Sequence, residues 1–258
     1  MMKGTTREET IRFWNESAET YSNRQQGSMP DSIVSDLVSG CVLTEDSDVC
    51  ELGSGPGTYS ARIAPHVRSL TCVDASENMM ARLRQNTEGI GNIRTVLTDF
   101  AEYEPGKVYD VTVAALCPGT HTEESVRRMC GMTKGTCVYI MWSDMCWDEV
   151  YPKVWKRFSD EDYPDIRNGT ILDTLDRMGM VYDERIYSER LTVEFPFETA
   201  VQKVIRSFAR YSDVPLTEED AAEYMDEYRD GDMFRTVRTN KMRVVTWSVP
   251  ESDVVHDA

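Results

Sequence analysis

Hydrophobic positions in this chain follow two alternating rhythms. Residues 49–52, 70–73, 93–97, 109–116 and 135–142 are mostly apolar or β-branched runs of strand length. Runs of that kind suit strands buried on both faces of a parallel sheet. Between and before them the spacing turns helical. Ile11, Trp14, Ala18 and Tyr21 share one face of a helix predicted over 7–23, and a second short helix is predicted over 31–41. Residues 25–30 read as a polar, glycine-containing link between the two. Ser76 caps a helix that carries Met79 and Met80, and Thr122 caps one over 123–132. Residues 166–178 read as the last crossover helix. Two β-prone runs, 180–195 and 234–249, follow as an antiparallel closing pair, with helices over 198–211 and 218–228 between them. Thr217 and Asp220 form a capping pair at the second of those helices. Five strands alternating with helices imply a parallel sheet with right-handed crossovers.

One junction is specialised. The run 49–52 leads into Glu51-Leu52-Gly53-Ser54-Gly55-Pro56-Gly57, three glycines on alternate positions before a helix start. Glycine there allows positive φ and lets a ligand lie against the backbone, while the helix offers unpaired N–H groups. A dinucleotide turn needs G-x-G-x-x-G, whose third glycine packs the helix on the sheet. Thr58 stands at that position here, and Glu51 would face a pyrophosphate unfavourably. A carboxylate beside the turn suits a cationic ligand instead. About twenty residues on, Leu70-Thr71-Cys72-Val73-Asp74 ends a second strand in an acid, the position that suits a pair of ribose hydroxyls.

Glu51 through Gly57 matches the E/D-x-G-x-G-x-G motif, and with Asp74 the segment resembles the class I S-adenosylmethionine-dependent methyltransferases of small-molecule type. The resemblance is specific over residues 47–142. It implies a Rossmann-like, doubly wound α/β sheet of seven strands, mostly parallel with an antiparallel final strand, plus N-terminal helices and a helical insertion before that strand. It also implies S-adenosyl-L-methionine as cofactor and S-adenosyl-L-homocysteine as product. Carried over residue by residue, the cofactor site comprises Glu51, Gly53, Ser54, Gly55 and Gly57 at the turn. Asp74 holds the ribose, and the stretch from Ala75 to Met79 borders the adenine. Asp99 is expected at the adenine amino group with Phe100 near the ring, and Leu116 closes the fourth strand. Trp14 and Tyr21 match a W-x(6)-Y element that precedes the core in such enzymes, so Tyr21 is expected to reach the methionine end or the substrate. Plain packing of that helix on the sheet stays open.

Catalytic chemistry is less legible. Residues 117–122 leave the carboxyl edge of the sheet, and His121 is the histidine nearest the expected crevice. It is a candidate for proton transfer, as Tyr21 is for substrate contact; solvent exposure of His121 beside a helix cap is the competing reading. Asp110, at the start of the fourth strand, reads as structural. Aromatic and acidic residues from 142 to 163 could enclose a cation or flat apolar molecule, or simply pack a helix. Seven cysteines without a C-x-x-C pair and three histidines give no metal-ligand spacing, so no metal is expected.

The formal charge of −17 disfavours a nucleic-acid partner, and no run is apolar enough for a bilayer, so a soluble, cytoplasmic protein is expected. The domain boundaries expected are a helical cap over 1–45, a cofactor-binding core over 46–195, a helical insertion or lid over 196–233, and a final strand with a frayed tail over 234–258. Methyl transfer to a small molecule by in-line displacement is the function these readings imply. A protein side chain as acceptor, or a cofactor-binding regulator without turnover, remain the alternatives.

Overall fold

The apolar runs become strands whose order puts the glycine turn at a crevice. The computed structural model describes residues 6–21, 28–117, 119–143, 150–160, 171–209 and 212–249, with only the backbone of 19–21. The side chain of Tyr21, the link over 25–27, Pro118, the acids Asp144, Asp148 and Glu149 with Trp147 and Tyr163, the start of the helix at 166, and the tail from 250 lie outside them.

Two compact units form: Met1–Met141 with Gly169–Tyr187 and Arg243–Ala258, and Trp142–Asn168 with Ser188–Met242. In the first, β1 (Asp48–Leu52), β2 (Ser69–Asp74), β3 (Ile93–Leu97), β4 (Tyr109–Ala115) and β5 (Thr133–Trp142) pair in parallel, β3-β2-β1-β4-β5. The path continues through β8 (Met233–Ser248), the antiparallel final strand, to β6 (Tyr182–Pro196). Seven strands make the path as the pattern predicts, and an eighth of two residues, β7 (Arg229–Asp230), pairs with β8 antiparallel. The order reverses at β1, which has β2 on one side and β4 on the other, and open α/β sheets take ligands beyond the strand ends at such a point.

The helices of this unit are α1 (Arg7–Tyr21), α2 (Met29–Ser39), α3 (Ser60–Ile63), α4 (Glu77–Asn86), α5 (Glu123–Gly131) and α7 (Ile171–Arg177). Two caps form as read: Ser76 accepts from the Met79 N–H and Thr122 from the Ser125 N–H. Met29 and Pro30, expected in the link over 25–30, belong to α2. Proline in a first helical turn has the right φ and lacks only an N–H that would be orphaned anyway. Cys50, Cys72 and Cys137 are fully buried in the sheet, as small hydrophobes.

Asp110 is structural: its carboxylate accepts the Asp48 N–H at 2.8 Å and pairs with Lys134 at 2.9 Å. The β4–β5 register shifts between Tyr109 and Val111, a bulge that needs Gly135. A Cβ at Gly135 would stand 2.5 Å from the Asp110 carbonyl oxygen, an atom that cannot swing away. Gly135→Ala is therefore expected to cost about 1–3 kcal/mol in urea unfolding; a neutral result would refute the close approach.

The second unit contains α6 (Val150–Phe158), α8 (Phe197–Phe208), α9 (Glu218–Met225), β7 and the adjoining stretches of β6 and β8. It is thus larger than the stretch 196–233, and it has its own core. Tyr151 and Trp155 are buried in that core, with the Trp155 ring 5.1 Å from that of Phe208, so these aromatic residues pack a helix. Thr217 caps α9 through the Asp220 N–H at 3.1 Å.

Candidate cofactor site

β1 ends at a turn in which Gly53, Gly55 and Gly57 all take positive φ, at 63°, 54° and 84°. Each has its own reason. A Cβ on Gly53 would sit 2.3 Å from the Cys117 sulfur, and one on Gly57 would press Leu83 of α4 at 3.0 Å. Around Gly55 nothing lies within 4 Å of the Cβ position, so the backbone there is open to a ligand. The Gly55 N–H donates to the Asp74 carboxylate at 2.8 Å, joining the turn to the end of β2.

Three carboxylates surround this turn and strand end, each held differently. Glu51 is 1 % exposed and accepts the Ser60 hydroxyl at 2.5 Å. Its burial pushes the carboxyl up to about 7. Asp74 accepts the Gly55 and Ser76 N–H groups, both at 2.8 Å. Burial raises its carboxyl too, against those two donors. Asp99 accepts the Ala101 N–H at 2.9 Å and pairs with the Arg7 guanidinium, also at 2.9 Å.

These groups share one cavity of about 440 Å³ within the first unit. Its wall brings together the expected Glu51, Gly53, Ser54, Gly55, Asp74, Ala75, Met79, Asp99, Phe100 and Leu116. Leu116 has φ 52°, rare for a branched residue, directly after β4. Strained backbone of this kind clusters at binding sites.

Gly57 is not on the wall; it serves the packing of α4. His121 is also off the wall: it is half-buried, burial lowers its imidazole pKa, and its carbonyl accepts the Thr174 hydroxyl at 2.7 Å. Cys117 lines the cavity, but burial raises its thiol far above the usual range, which suppresses the nucleophilic thiolate.

The W-x(6)-Y element pointed to α1 through Trp14, but motif reading missed the other residues this helix adds. Arg7, Thr10, Ile11 and Trp14 line the cavity, as does Arg128 of α5. Arg128 donates to the carbonyls of Phe100 at 2.9 Å and Tyr103 at 2.6 Å, holding the segment after β3. Helical spacing exposes the face of α1, but no local signal says which distant carboxylate an arginine on it will meet. Among the described residues no cluster of three or more His, Cys, Asp or Glu could hold a metal ion, and no helix is long and apolar enough to cross a membrane.

Residues 49–134 match the family model of a methyltransferase domain. No curated protein matches the sequence. Among solved structures, a candidate methyltransferase from Bacillus halodurans shares 16% identity, with 85% of this chain and 99% of that one covered at a TM-score of 0.52. Magnesium protoporphyrin IX methyltransferase from Synechocystis, solved with S-adenosylmethionine, shares 14% over 93% and 99%, with a TM-score of 0.51. DhpI in its complex with S-adenosylmethionine and HEP shares 16% over 71% and 94%, also at 0.51. Identities this low speak for the fold, while the domain match covers the glycine turn and both strand-end acids. Residues 49–134 are thus similar to a methyltransferase domain, on the Rossmann-like fold that these solved structures share.

Proposed function

We propose that the chain methylates a small-molecule acceptor by in-line displacement. The observation that carries this reading is the wall that α1 adds to the cavity. Arg7, Thr10, Ile11 and Trp14 border it, and Asn15 ties the helix to α4 through Ser76 and Asn78. A residue still attached to a folded macromolecule would have to pass that helix, whereas a free metabolite needs only a brief opening. The charge of −17 also opposes a polyanionic acceptor. The similar magnesium protoporphyrin IX methyltransferase carries a small molecule in its name.

The wall fits the cofactor chemically. Open backbone at Gly55 suits close approach, and three carboxylates suit a ligand with cationic and hydroxyl groups but no phosphate. On this reading Asp74 holds the ribose diol, Asp99 and Phe100 border the adenine, and Glu51 answers the positive charge of the methionine end. S-adenosylmethionine supplies a methyl group already activated by its sulfonium. The chain's own task is to bind, orient and exclude water, and alignment of that kind can account for about 7–11 kcal/mol of a barrier. A base is needed only if the acceptor arrives protonated. His121 is not given that role because its imidazole does not line the cavity.

Asp74→Ala is expected to weaken S-adenosylmethionine binding by about 1–3 kcal/mol, roughly ten- to hundredfold, in calorimetry. Unchanged affinity would remove Asp74 from the ribose. For the acceptor, a labelled methyl donor is incubated with the enzyme and a cell extract, which is then split into protein and small-molecule fractions. Label among small molecules is expected. Label confined to protein would overturn the proposal.

A further inference from the structure

Arg7 is the first residue of α1, yet it makes the helix's most specific contact with the cofactor cavity. Its Nε lies 2.9 Å from Asp99 Oδ2, and the same guanidinium pairs with Glu102. The other Asp99 oxygen accepts the Ala101 N–H at 2.9 Å. Among the described residues, each carboxylate oxygen therefore has one donor. A carboxylate offers roughly four lone-pair positions, so acceptor capacity remains on both oxygens. The Asp99 side chain is only 18% exposed and lines the cavity, where that capacity is directed by the two donors already in place.

We infer that Arg7 is a positioning residue for cofactor selectivity: it fixes Asp99 as a pure acceptor, so that the site takes a 6-aminopurine and rejects a 6-oxopurine. This rests on the reading that Asp99 meets the adenine amino group. An amino group at C6 donates to the carboxylate, whereas an oxo group opposes one acceptor with another. Without the guanidinium, Asp99 is free to rotate away from the purine edge. A rotated carboxylate neither accepts from the amino group nor opposes the oxo group, and the discrimination is lost. Asn15 provides the contrast within the same helix. It accepts from Ser76 Oγ at 2.8 Å and from the Asn78 N–H at 3.0 Å, and it touches neither Asp99 nor Glu102. Loss of Asn15 loosens α1; loss of Arg7 loosens α1 and also releases Asp99.

The test measures dissociation constants of S-adenosylhomocysteine and its 6-oxo analogue, S-inosylhomocysteine, by calorimetry on the full chain. The variants are Asp99→Asn, Arg7→Met, Arg7→Lys and Asn15→Ala, each checked for an unchanged thermal transition. The wild type is expected to prefer the adenosyl compound by about 100-fold, the scale of one buried polar group left unsatisfied. Asp99→Asn should erase or invert that preference, since an amide can donate to the oxo group. Arg7→Met should cut the preference about tenfold or more, equivalent to one weakened hydrogen bond, and Arg7→Lys should restore part of it. Asn15→Ala should weaken both compounds equally.

Two outcomes overturn the inference, and they are distinguishable. If Asp99→Asn changes the preference while Arg7→Met lowers both affinities alike, Arg7 is only a pin for the helix. If Asp99→Asn leaves the preference untouched, Asp99 does not meet the purine amino group, and the assignment beneath the inference fails with it.

Discussion

At pH 8, Glu51→Gln is expected to stabilise the ligand-free protein by about 1–3 kcal/mol and, in the same variant, to weaken S-adenosylmethionine binding ten- to hundredfold. Both effects come from one buried carboxyl. Its pKa rises from 4.5 to about 7 because burial removes water from the charged form. Below 4.5 the group is protonated in both folded and unfolded chains and costs nothing electrostatically. As pH rises from 4.5 to about 7, the unfolded chain releases its proton first, and the folded state loses relative stability. Above about 7 the loss is complete, and a difference of this size corresponds to at most roughly 3 kcal/mol. Glutamine keeps the shape and still accepts the Ser60 hydroxyl without carrying the charge. The stability gap between variant and wild type should therefore open between pH 4.5 and 7 and stay level above.

Binding runs the other way. A cationic ligand favours ionised Glu51, so wild-type affinity should fall about tenfold per pH unit below 7, with a proton released on binding. Calorimetry in buffers of different ionisation enthalpy measures that proton directly. A variant no more stable at pH 8, or one that keeps the wild-type pH dependence of binding, would show that this carboxyl does not carry the charge recognition.

Such a stability cost at a functional position also marks what a sequence can and cannot reveal. The glycine turn, Asp74 and the caps at Ser76, Thr122 and Thr217 were legible because their chemistry is local. A capping oxygen and the N–H that donates to it stand three residues apart, and a turn glycine declares itself by spacing. The parallel pairing of the first five strands followed from their alternation with helices. What stayed hidden depends on distant partners. Nothing near Arg7 in the chain announces Asp99, and nothing near Gly57 announces Leu83. His121 follows a strand end, as a catalytic base often does, but its imidazole is not part of the cavity wall. The second unit eluded simple boundaries because it is assembled from two separated stretches, Trp142–Asn168 and Ser188–Met242.

The first two glycines of the turn should separate folding from binding. At Gly53, an alanine Cβ would lie 2.3 Å from the Cys117 sulfur and 2.7 Å from its Cβ, on a backbone with φ 63°. Left-handed backbone costs an ordinary residue about 1–2 kcal/mol, and overpacking adds about 1–3 kcal/mol. Gly53→Ala is thus expected to lose about 2–5 kcal/mol in urea unfolding, a large part of a domain's total stability. Gly53→Ala/Cys117→Gly should recover the overpacking part, because both close atoms belong to that side chain. At Gly55 the φ of 54° brings a similar backbone cost, but no atom within 4 Å opposes the added methyl. Gly55→Ala is expected to lose only about 1–2 kcal/mol of stability. Its methyl would instead occupy ligand space, so S-adenosylmethionine affinity should fall about tenfold or more, the scale of a lost close contact. Equal destabilisation by the two alanines, or full cofactor affinity in Gly55→Ala, would mean that the turn packs against protein at both positions and presents no bare backbone to the ligand.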